Sequence, residues 1–275
     1  GRSLRQAQKV RELQRVVPRL SLMATRWREF AYQVRGKSHA LDGRPGQDRF
    51  KYQVRHGIRV LCLADGAGSA SHSEYGAQTV VSAACNFVIG HLTPGEITVE
   101  NLDGRSLLAH ITAQLRIAAV QLDCELKDLA STFLCVALSD TSFFAAHIGD
   151  GVIGAERDGN LEVITWPDNG EFANVTTFVT SADAAGSMQV VHGELEGYSG
   201  FVLMSDGTAE SLFNYETRSL ARACKTLFRI IADAPTYEVA NPAYKKDLKR
   251  IMDLQIREAT DDDCSIGLLA RSLSG

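Results

Sequence analysis

The chain of 275 residues is 45% hydrophobic and 23% charged, as is typical of a soluble globular protein, and its net charge is −4. No apolar run reaches the ~18 residues that a membrane span needs, and the six cysteines form no CxxC pair or zinc-type cluster. These properties exclude a membrane-spanning protein and a zinc domain, and the acidic balance argues against nucleic acid as the main partner.

The cysteines lie mostly inside apolar runs, for example at residues 60–63 and 133–136. This placement favours reduced core thiols over a structural disulfide, as is usual for a cytoplasmic protein. Residues 1–26 also lack the apolar central stretch and the cleavage site of a secretion signal. We therefore expect a cytoplasmic location.

Residues 1–26 differ from the rest of the chain. They carry seven basic side chains and the single acid Glu12, which gives this segment a charge of +6. Because the whole chain has a net charge of −4, the remaining residues together carry a charge of −10. Apolar residues recur at helical spacing up to Val17, and Pro18 should end or kink that helix. We predict a basic N-terminal helical extension or linker at 1–26, with docking to an acidic partner as the alternative, followed by one domain at 27–275.

From residue 27 onward, alternating and continuous apolar runs predict strands, and amphipathic spacing predicts helices. The predicted strands are 30–34, 50–54, 58–64, 132–138, 142–148, 152–156, 161–165, 188–195, 200–204 and 265–269. The predicted helices are 74–89, 107–122 and 245–257. Helices grouped between runs of hairpin-linked strands favour antiparallel sheets over a wound βαβ fold. The predicted fold class is α+β, a two-sheet sandwich with helices outside.

Asp-Gly occurs six times in the sequence, and any single occurrence is by default a turn. Three of these aspartates, Asp65, Asp150 and Asp206, directly follow a predicted buried strand. A run of three acids at 261–263 precedes the last strand, although on its own an exposed turn explains that run better. Because strand ends of one sheet can converge, we expect these carboxylates to lie close together.

Oxygen ligands without a histidine or cysteine cluster predict Mg²⁺ or Mn²⁺ rather than zinc. Two such ions about 3.5–4 Å apart can bridge one water, lower its pKa and clamp a phosphate for in-line attack. The absence of a Gly-x-Ser-x-Gly elbow argues against a serine nucleophile. The segment 65–68 lacks the lysine and the spacing of a P-loop, so we reject a nucleotide hydrolase.

Five short motifs also occur in an order that indicates a known protein family. They are Gly46-Gln47-Asp48, Ala64-Asp65-Gly66-Ala67-Gly68-Ser69, His147-Ile148-Gly149-Asp150-Gly151, Met204-Ser205-Asp206-Gly207 and Thr260-Asp261-Asp262-Asp263. Their order and spacing resemble the metal-dependent type 2C protein phosphatases, over roughly residues 27–270. Residues 170–176 look like a segment of a bacterial branch of that family. The resemblance implies an αββα sandwich of two antiparallel sheets flanked by helices.

The resemblance also implies a role for each acid. Asp65 would bridge two cations, the carbonyl of Gly66 would bind the second, and Asp206 and Asp262 would complete the first. Asp65 is therefore both a metal ligand and a catalytic residue by this resemblance.

Two further aspartates take supporting roles by the same resemblance. Asp48 would hold a metal-bound water, which makes it both a ligand and a catalytic residue, and Asp150 would join a looser third site. The family commonly has asparagine where Asp263 stands, so Asp263 is not expected to be a primary ligand.

The chain departs from the family pattern at three positions. Gln47 replaces a glutamate, Ala67 stands where a histidine is frequent, and Arg44 lies one place off the spacing of the phosphate-binding arginine. We keep Arg44 as the expected substrate-binding residue. His39 and His72 could each supply the proton to the leaving group, and we keep His39 as the candidate catalytic residue. For either histidine, a structural or surface role is the favoured interpretation.

The preferred prediction is a serine/threonine phosphatase that uses activated water and forms no phosphoenzyme. Its partners would be a phosphorylated protein substrate and a cognate serine/threonine kinase. Gln47 and Ala67 keep open a pseudophosphatase that binds a phosphorylated signal without turnover. A small-molecule phosphomonoesterase with the same site is the third interpretation.

Overall fold

A computed structural model of the chain describes residues 27–41, 43, 45–91, 99–167, 176–235 and 242–271. The predicted basic segment 1–26, Arg44 and most of the motif 170–176 therefore lie outside the described residues. Among the helices that are described, none is both long enough and apolar enough to cross a bilayer.

The strands form two five-stranded sheets and one short hairpin within the described residues. In chain order the strands are β1 (Arg28–Val34), β2 (Arg49–Arg55), β3 (Ile58–Ala64), β4 (Phe133–Leu138), β5 (Ser142–Ile148), β6 (Val152–Arg157), β7 (Asn160–Thr165), β8 (Gln189–Glu194), β9 (Tyr198–Met204), β10 (Phe213–Asn214), β11 (Ser219–Leu220) and β12 (Cys264–Ala270). One sheet has the order β1-β12-β9-β6-β7, the other has the order β2-β3-β4-β5-β8, and β10 pairs with β11. Every strand pair is antiparallel, as predicted.

The helices cover the outer faces of the sheets. In chain order they are α1 (Lys37–Leu41), α2 (Ser73–His91), α3 (Gly104–Leu122), α4 (Ala184–Ser187), α5 (Asp206–Leu212), α6 (Ala223–Ala232) and α7 (Ala243–Ile251). The helix predicted at 245–257 is α-helical only to Ile251 and continues as a π-helical turn, Met252–Ile256. Helices α1, α4, α5 and α6 were not predicted. The first three are too short to show a clear helical period, whereas α6 carries an amphipathic period that the prediction overlooked.

Buried side chains form three layers, which gives the chain the αββα order that was predicted. The position of strand β3 between two of these layers explains why its sequence is a continuous apolar run. Val60 and Cys62 face the cluster beneath α2 and α3, whereas Leu61 and Leu63 face the cluster between the two sheets. A third cluster lies between the other sheet and helices α5, α6 and α7. A strand covered on both faces has no solvent side, so alternation disappears from its sequence.

The six cysteines are free thiols, and all but Cys124 are buried. Cys62 and Cys85 face each other, with 3.6 Å between their sulfur atoms. Burial raises the pKa of Cys62 well above its ordinary value, and contacts with the thiols of Cys135 and Cys85 raise it further. Cys62 is therefore a core thiol of low reactivity.

Antiparallel pairing decides where the motifs meet. Arg49 at the start of β2 pairs with Ala64 at the end of β3, so the residues just outside these strands share one end of that sheet. In the other sheet Met204 at the end of β9 pairs with Ile266 of β12, so the residues just after β9 and just before β12 also share one end of their sheet. The residues before β2 and β12 therefore lie beside the residues after β3 and β9.

Candidate active site

A cavity of about 330 Å³ opens at this end of the sandwich. Its lining residues are His39, Gln47, Asp65, Gly66, Ala67, Gly68, Thr132, Asp150, Thr176, Phe178, Asp206 and Asp262. Asp48 is fully buried behind this lining, against Asp65. The structure thus brings five of the predicted aspartates together, from both sheets.

Asp65 is held by the neighbouring strand. Its backbone N–H donates to the hydroxyl of Thr132 at 2.9 Å, and the N–H of Thr132 donates to the carbonyl of Asp65 at 2.8 Å. Gly66 forms an isolated antiparallel bridge with Ser131. These contacts fix the backbone just after β3, so the Asp65 carboxylate is aimed by a rigid element rather than by a mobile loop.

Asp206 begins helix α5, and its own carboxylate accepts a hydrogen bond from the N–H of Gly207 at 2.6 Å. The hydroxyl of Thr208 donates to the carbonyl of Ser265 at 2.9 Å. A Cβ on Gly207 would overlap the carbonyl oxygen of Asp263. The glycine therefore lets the start of α5 lie directly against the acidic run that precedes β12.

Asp150 follows β5 and lines the same cavity from the opposite sheet. Its carboxylate accepts a hydrogen bond of 2.6 Å from the hydroxyl of Thr176. Gly149 has a φ of +120°, a conformation open to glycine, and thereby turns the chain at the end of the strand. The structure brings Asp150 to the other acids, while its assignment to a third cation site stays a prediction.

The acids strongly perturb one another. Burial raises the pKa of Asp48 to about 7, and the charges of Asp263 and Asp206 add to this effect. Burial, then the charges of Asp48 and Asp206, raise the pKa of Asp65 well above its ordinary value. Burial, then the charges of Asp150 and Asp262, raise the pKa of Asp206 to about 6. Perturbed acids that gather at one cavity are typical of a functional site.

The donor set fits divalent cations. Both carboxylate oxygens of Asp48 are buried and accept no hydrogen bond of ordinary geometry, and the buried hydroxyl of Ser265 likewise has no partner among the described residues. The described residues that line the cavity include no lysine or arginine to balance the acids. Oxygen ligands of this kind suit Mg²⁺ or Mn²⁺.

The carboxylates are not preset in a coordination geometry. In the described part of the chain no three Asp, Glu, His or Cys side chains already form a group that could hold a metal ion. Ionised carboxylates repel one another and close up only around a cation. The chemistry of the donor set, rather than a ready-made spacing, therefore identifies the site.

Asp263 is the exception among these acids, because its carboxylate is fully partnered. It accepts hydrogen bonds of 2.6 Å from the backbone N–H groups of both Gly36 and Gln47. A Cβ on Gly36 would overlap the backbone of Asp262, so the two loops lie in direct contact. Asp263 thus anchors the loop around Gln47 to the start of β12, which agrees with its expected role outside the primary ligands.

His39 belongs to this anchor and also lines the cavity. Its Nδ1 lies 3.0 Å from Oδ1 of Asp263, a distance that suits an ion pair, although the angle is not that of a hydrogen bond. His72 is not among the cavity residues, and its Nδ1 contacts the hydroxyl of Ser71 at 2.9 Å. Of the two candidate histidines, the structure places only His39 at the site.

Gln47 and Ala67, the two departures from the family pattern, both line the cavity. The amide nitrogen of Gln47 donates to the hydroxyl of Ser73 at 2.6 Å, which ties the loop before β2 to the start of α2. Sequence reasoning missed Ser73 and Thr132 as supporting residues. Their hydroxyls act through contacts between distant segments, and no local signal marks such contacts.

A family model described as protein phosphatase 2C matches residues 35–253. The chain belongs to the protein phosphatase 2C family. The αββα order described above is therefore that of a protein phosphatase 2C domain, as the sequence motifs predicted.

Bacterial relatives support this assignment. The chain is 27% identical over 168 residues to serine/threonine-protein phosphatase 3 of Escherichia coli (strain K12), a match that covers 59% of this chain and 66% of that one. It is 31% identical over 121 residues to the serine/threonine protein phosphatase PstP of Mycobacterium tuberculosis (strain ATCC 25618 / H37Rv), covering 42% of this chain and 21% of PstP. The chain thus spans less than two thirds of the length of these curated relatives.

Solved structures share the protein phosphatase 2C fold. A bacterial serine phosphatase superposes with a TM-score of 0.64 at 16% identity, and the match covers 91% of this chain and 100% of that chain. The catalytic domain of PstP in complex with two manganese ions superposes with a TM-score of 0.62 at 20% identity, covering 90% of this chain and 99% of that one. At these identities the likeness concerns the fold.

Proposed function

We propose that this member of the protein phosphatase 2C family is a metal-dependent serine/threonine protein phosphatase that hydrolyses phosphomonoesters. The observation that carries the proposal is the cavity where carboxylates from both sheets meet, with no lysine or arginine among the described residues that line it. The names of the bacterial relatives and the two manganese ions in the PstP complex support it. Its substrate would be a phosphorylated protein, the product of a serine/threonine kinase.

The cations would be Mg²⁺ or Mn²⁺. Their expected ligands are Asp65, the carbonyl of Gly66, Asp206 and Asp262, with Asp150 at a third, looser position. Two divalent cations held there lower the pKa of a water molecule and offset the charge of a phosphate. Asp65 would contact both cations, a role that rests on the resemblance of its motif to the family.

Asp48 would orient the attacking water. Its carboxylate lies behind Asp65, and neither of its oxygens is occupied by another donor. A buried acceptor without a partner is costly to fold, so it is best explained by a hydrogen bond that forms during the function. Asp48 can accept that hydrogen bond from a water that lies beside Asp65.

His39 would supply the proton that the leaving oxygen of serine or threonine needs. Its Nδ1 faces Asp263 and its ring lines the cavity, so Nε2 is the nitrogen that is free of this ion pair. Asp263 therefore orients the ring. Arg44 stays the proposed phosphate-binding residue on the resemblance alone.

We also propose a location where thiols stay reduced, such as the cytoplasm. Six free cysteines, most of them in the core, support this part of the proposal. Such thiols suit a reducing compartment, where structural disulfides are rare.

The proposed function is tested by hydrolysis of an aryl phosphate and of a phosphothreonine peptide, with Mn²⁺ and with excess chelator. We expect turnover that vanishes in chelator and returns with Mn²⁺ or Mg²⁺. Full turnover in chelator would rule out the cation mechanism. Binding of the phosphopeptide without any turnover would indicate the pseudophosphatase, and faster turnover of a sugar phosphate than of the peptide would indicate a small-molecule enzyme.

A further inference from the structure

The segment 176–181 runs along the cavity that holds the acids, and both Thr176 and Phe178 line it. The hydroxyl of Thr176 donates to the carboxylate of Asp150 at 2.6 Å. Val179, the residue after Phe178, is buried in the apolar cluster beneath α2 and α3. The segment is therefore fixed at the cavity by a polar contact on one side of Phe178 and by an apolar contact on the other.

The backbone around Phe178 is held by a hydrogen-bonded turn. The N–H of Phe178 donates to the hydroxyl of Ser181 at 3.0 Å, and its carbonyl accepts from the N–H of Ser181 at 2.9 Å. The N–H of the next residue donates to the carbonyl of Ser131 at 2.9 Å. Ser131 directly precedes Thr132, whose hydroxyl accepts from the backbone N–H of Asp65. Phe178 and Asp65 are therefore positioned by the same short stretch of chain.

The side chain of Phe178 stands outside the core. Phe178 is partly exposed, and it belongs to none of the three apolar clusters that the described residues form. Among the described residues that line the cavity, only Phe178 and Ala67 have hydrocarbon side chains. Apolar surface is stabilised when it leaves water, and a phosphate with its cations offers it no apolar partner. Phe178 is therefore available to an apolar part of a ligand.

A phosphorylated residue has apolar atoms directly beside its phosphate. Cations and phosphate oxygens would occupy the part of the cavity that the carboxylates line, because divalent cations bind oxygen ligands. The first substrate atoms outside the phosphate are carbons: the Cβ of phosphoserine, or the Cβ and the methyl group of phosphothreonine. A phenylalanine in the lining of the same cavity is closer to these carbons than to residues further along a polypeptide.

We propose that Phe178 is a specificity-determining residue whose ring contacts the carbon atoms of the phosphorylated side chain. This inference rests on the proposed function, because it needs the phosphate to lie among the acids. The contact grows with the apolar surface that the phosphorylated side chain presents, so the methyl group of phosphothreonine makes a contact that phosphoserine lacks. Phe178 thereby distinguishes substrates by their leaving group rather than by the flanking sequence.

The test compares Phe178→Ala and Phe178→Leu with the wild type on two peptides of identical flanking sequence, one with phosphoserine and one with phosphothreonine, in saturating Mn²⁺. The readout is the ratio of the two kcat/KM values, phosphothreonine over phosphoserine. We expect this ratio to fall by about 4-fold in Phe178→Ala, the effect of one buried methyl group, and by about 2-fold in Phe178→Leu, which keeps an apolar side chain. The control is Val120→Ala, at an exposed residue of α3, which should keep the wild-type ratio.

An unchanged ratio in Phe178→Ala would overturn the proposal. This holds also where both kcat/KM values fall equally, because Phe178 would then act through the fold or on the flanking polypeptide. Thermal melts show whether the variants fold, and Phe178→Leu decides the test if Phe178→Ala does not fold. If the wild type turns over neither peptide, the proposed function fails, and the same proteins are compared for binding of the two phosphopeptides by fluorescence anisotropy. A selective loss of phosphothreonine binding in Phe178→Ala would still support the contact, and equal changes for both peptides would refute it.

Discussion

Asp263 and the acids of the cavity lie side by side at one end of the sandwich, and they differ in their partners. The anchor, made of Asp263 with Gly36, His39 and Gln47, supplies a donor for each carboxylate oxygen. At the cavity, Asp48 has no donor for either oxygen. A satisfied buried carboxylate stabilises the fold, whereas an unsatisfied one costs stability and is kept for a ligand. The comparison thus separates an aspartate that anchors two loops from the aspartates that are proposed to bind cations and water.

The largest effect is expected from Asp65→Asn. This change removes a negative charge from the cavity with little change in volume, so turnover should fall by at least ~10²-fold, as when an electrostatic element of a transition-state clamp is lost. The metal-free fold should be at least as stable as the wild type, because repulsion among the acids decreases. Steady-state kinetics and thermal melts in chelator measure the two effects. Asp140→Asn, in an exposed turn, is the control, and an active Asp65→Asn enzyme would refute the assignment.

His39→Gln should separate the two substrates. A serine or threonine alkoxide needs a proton to leave, whereas an aryl oxide leaves more easily without one. Turnover of a phosphothreonine peptide should fall by at least ~10-fold, and turnover of an aryl phosphate should fall far less. His72→Gln, at the histidine outside the cavity, should affect neither. Equal losses on both substrates would make His39 a structural part of the anchor only.

Asp263→Asn should act on stability first. The amide can no longer offer two charged acceptor oxygens to the N–H groups of Gly36 and Gln47. Its NH₂ group would instead face one of these N–H groups, so two donors would oppose each other. We expect the free energy of unfolding to fall by about 2 kcal/mol, the range for hydrogen bonds to a buried charged group. Chemical denaturation in chelator measures the loss. The neighbouring exposed Asp261→Asn is the control, and a stable Asp263→Asn protein would contradict the anchor.

The acids of the cavity should make metal-free stability depend on pH. In the fold the pKa of Asp48 rises from 3.8 to about 7 and that of Asp206 rises to about 6. A raised pKa favours the fold while the group is protonated, so this stability is complete below about pH 4 and is lost as pH rises to about 7. Thermal melts in chelator from pH 5 to pH 8 should show the decline. The decline should be smaller in Asp48→Asn, and Mn²⁺ should reverse it at the upper end.

The smallest effect is expected from Gln47→Glu. It restores a carboxylate at the cavity, and the hydroxyl of Ser73 can turn to donate to it, so the link to α2 is kept. The activation curve should then shift to a lower Mn²⁺ concentration, because added negative charge strengthens cation binding. Gln78→Glu, on the exposed face of α2, is the control. Superimposed curves for wild type and Gln47→Glu would show that this position does not act on the cations.

Much of the architecture could be predicted from periodicity. The predicted strands and the two long helices all correspond to observed elements, because each is covered on at least one face and carries a clear apolar pattern. Helices α5 and α6 were missed. The seven residues of α5 give too little period to recognise, whereas the amphipathic period of α6 was overlooked. Both helices pack against β12.

The sequence by itself determined the chemistry available at the site: aspartates at strand ends, glycines beside them and oxygen donors without a cysteine or histidine cluster. These follow from residue identity and local pattern. Only the tertiary structure decided which acid is anchored and which is open, and that His39 rather than His72 reaches the cavity. Those distinctions depend on contacts between segments far apart in the chain, and burial, charge and hydrogen bonding at such contacts are set by packing rather than by local sequence.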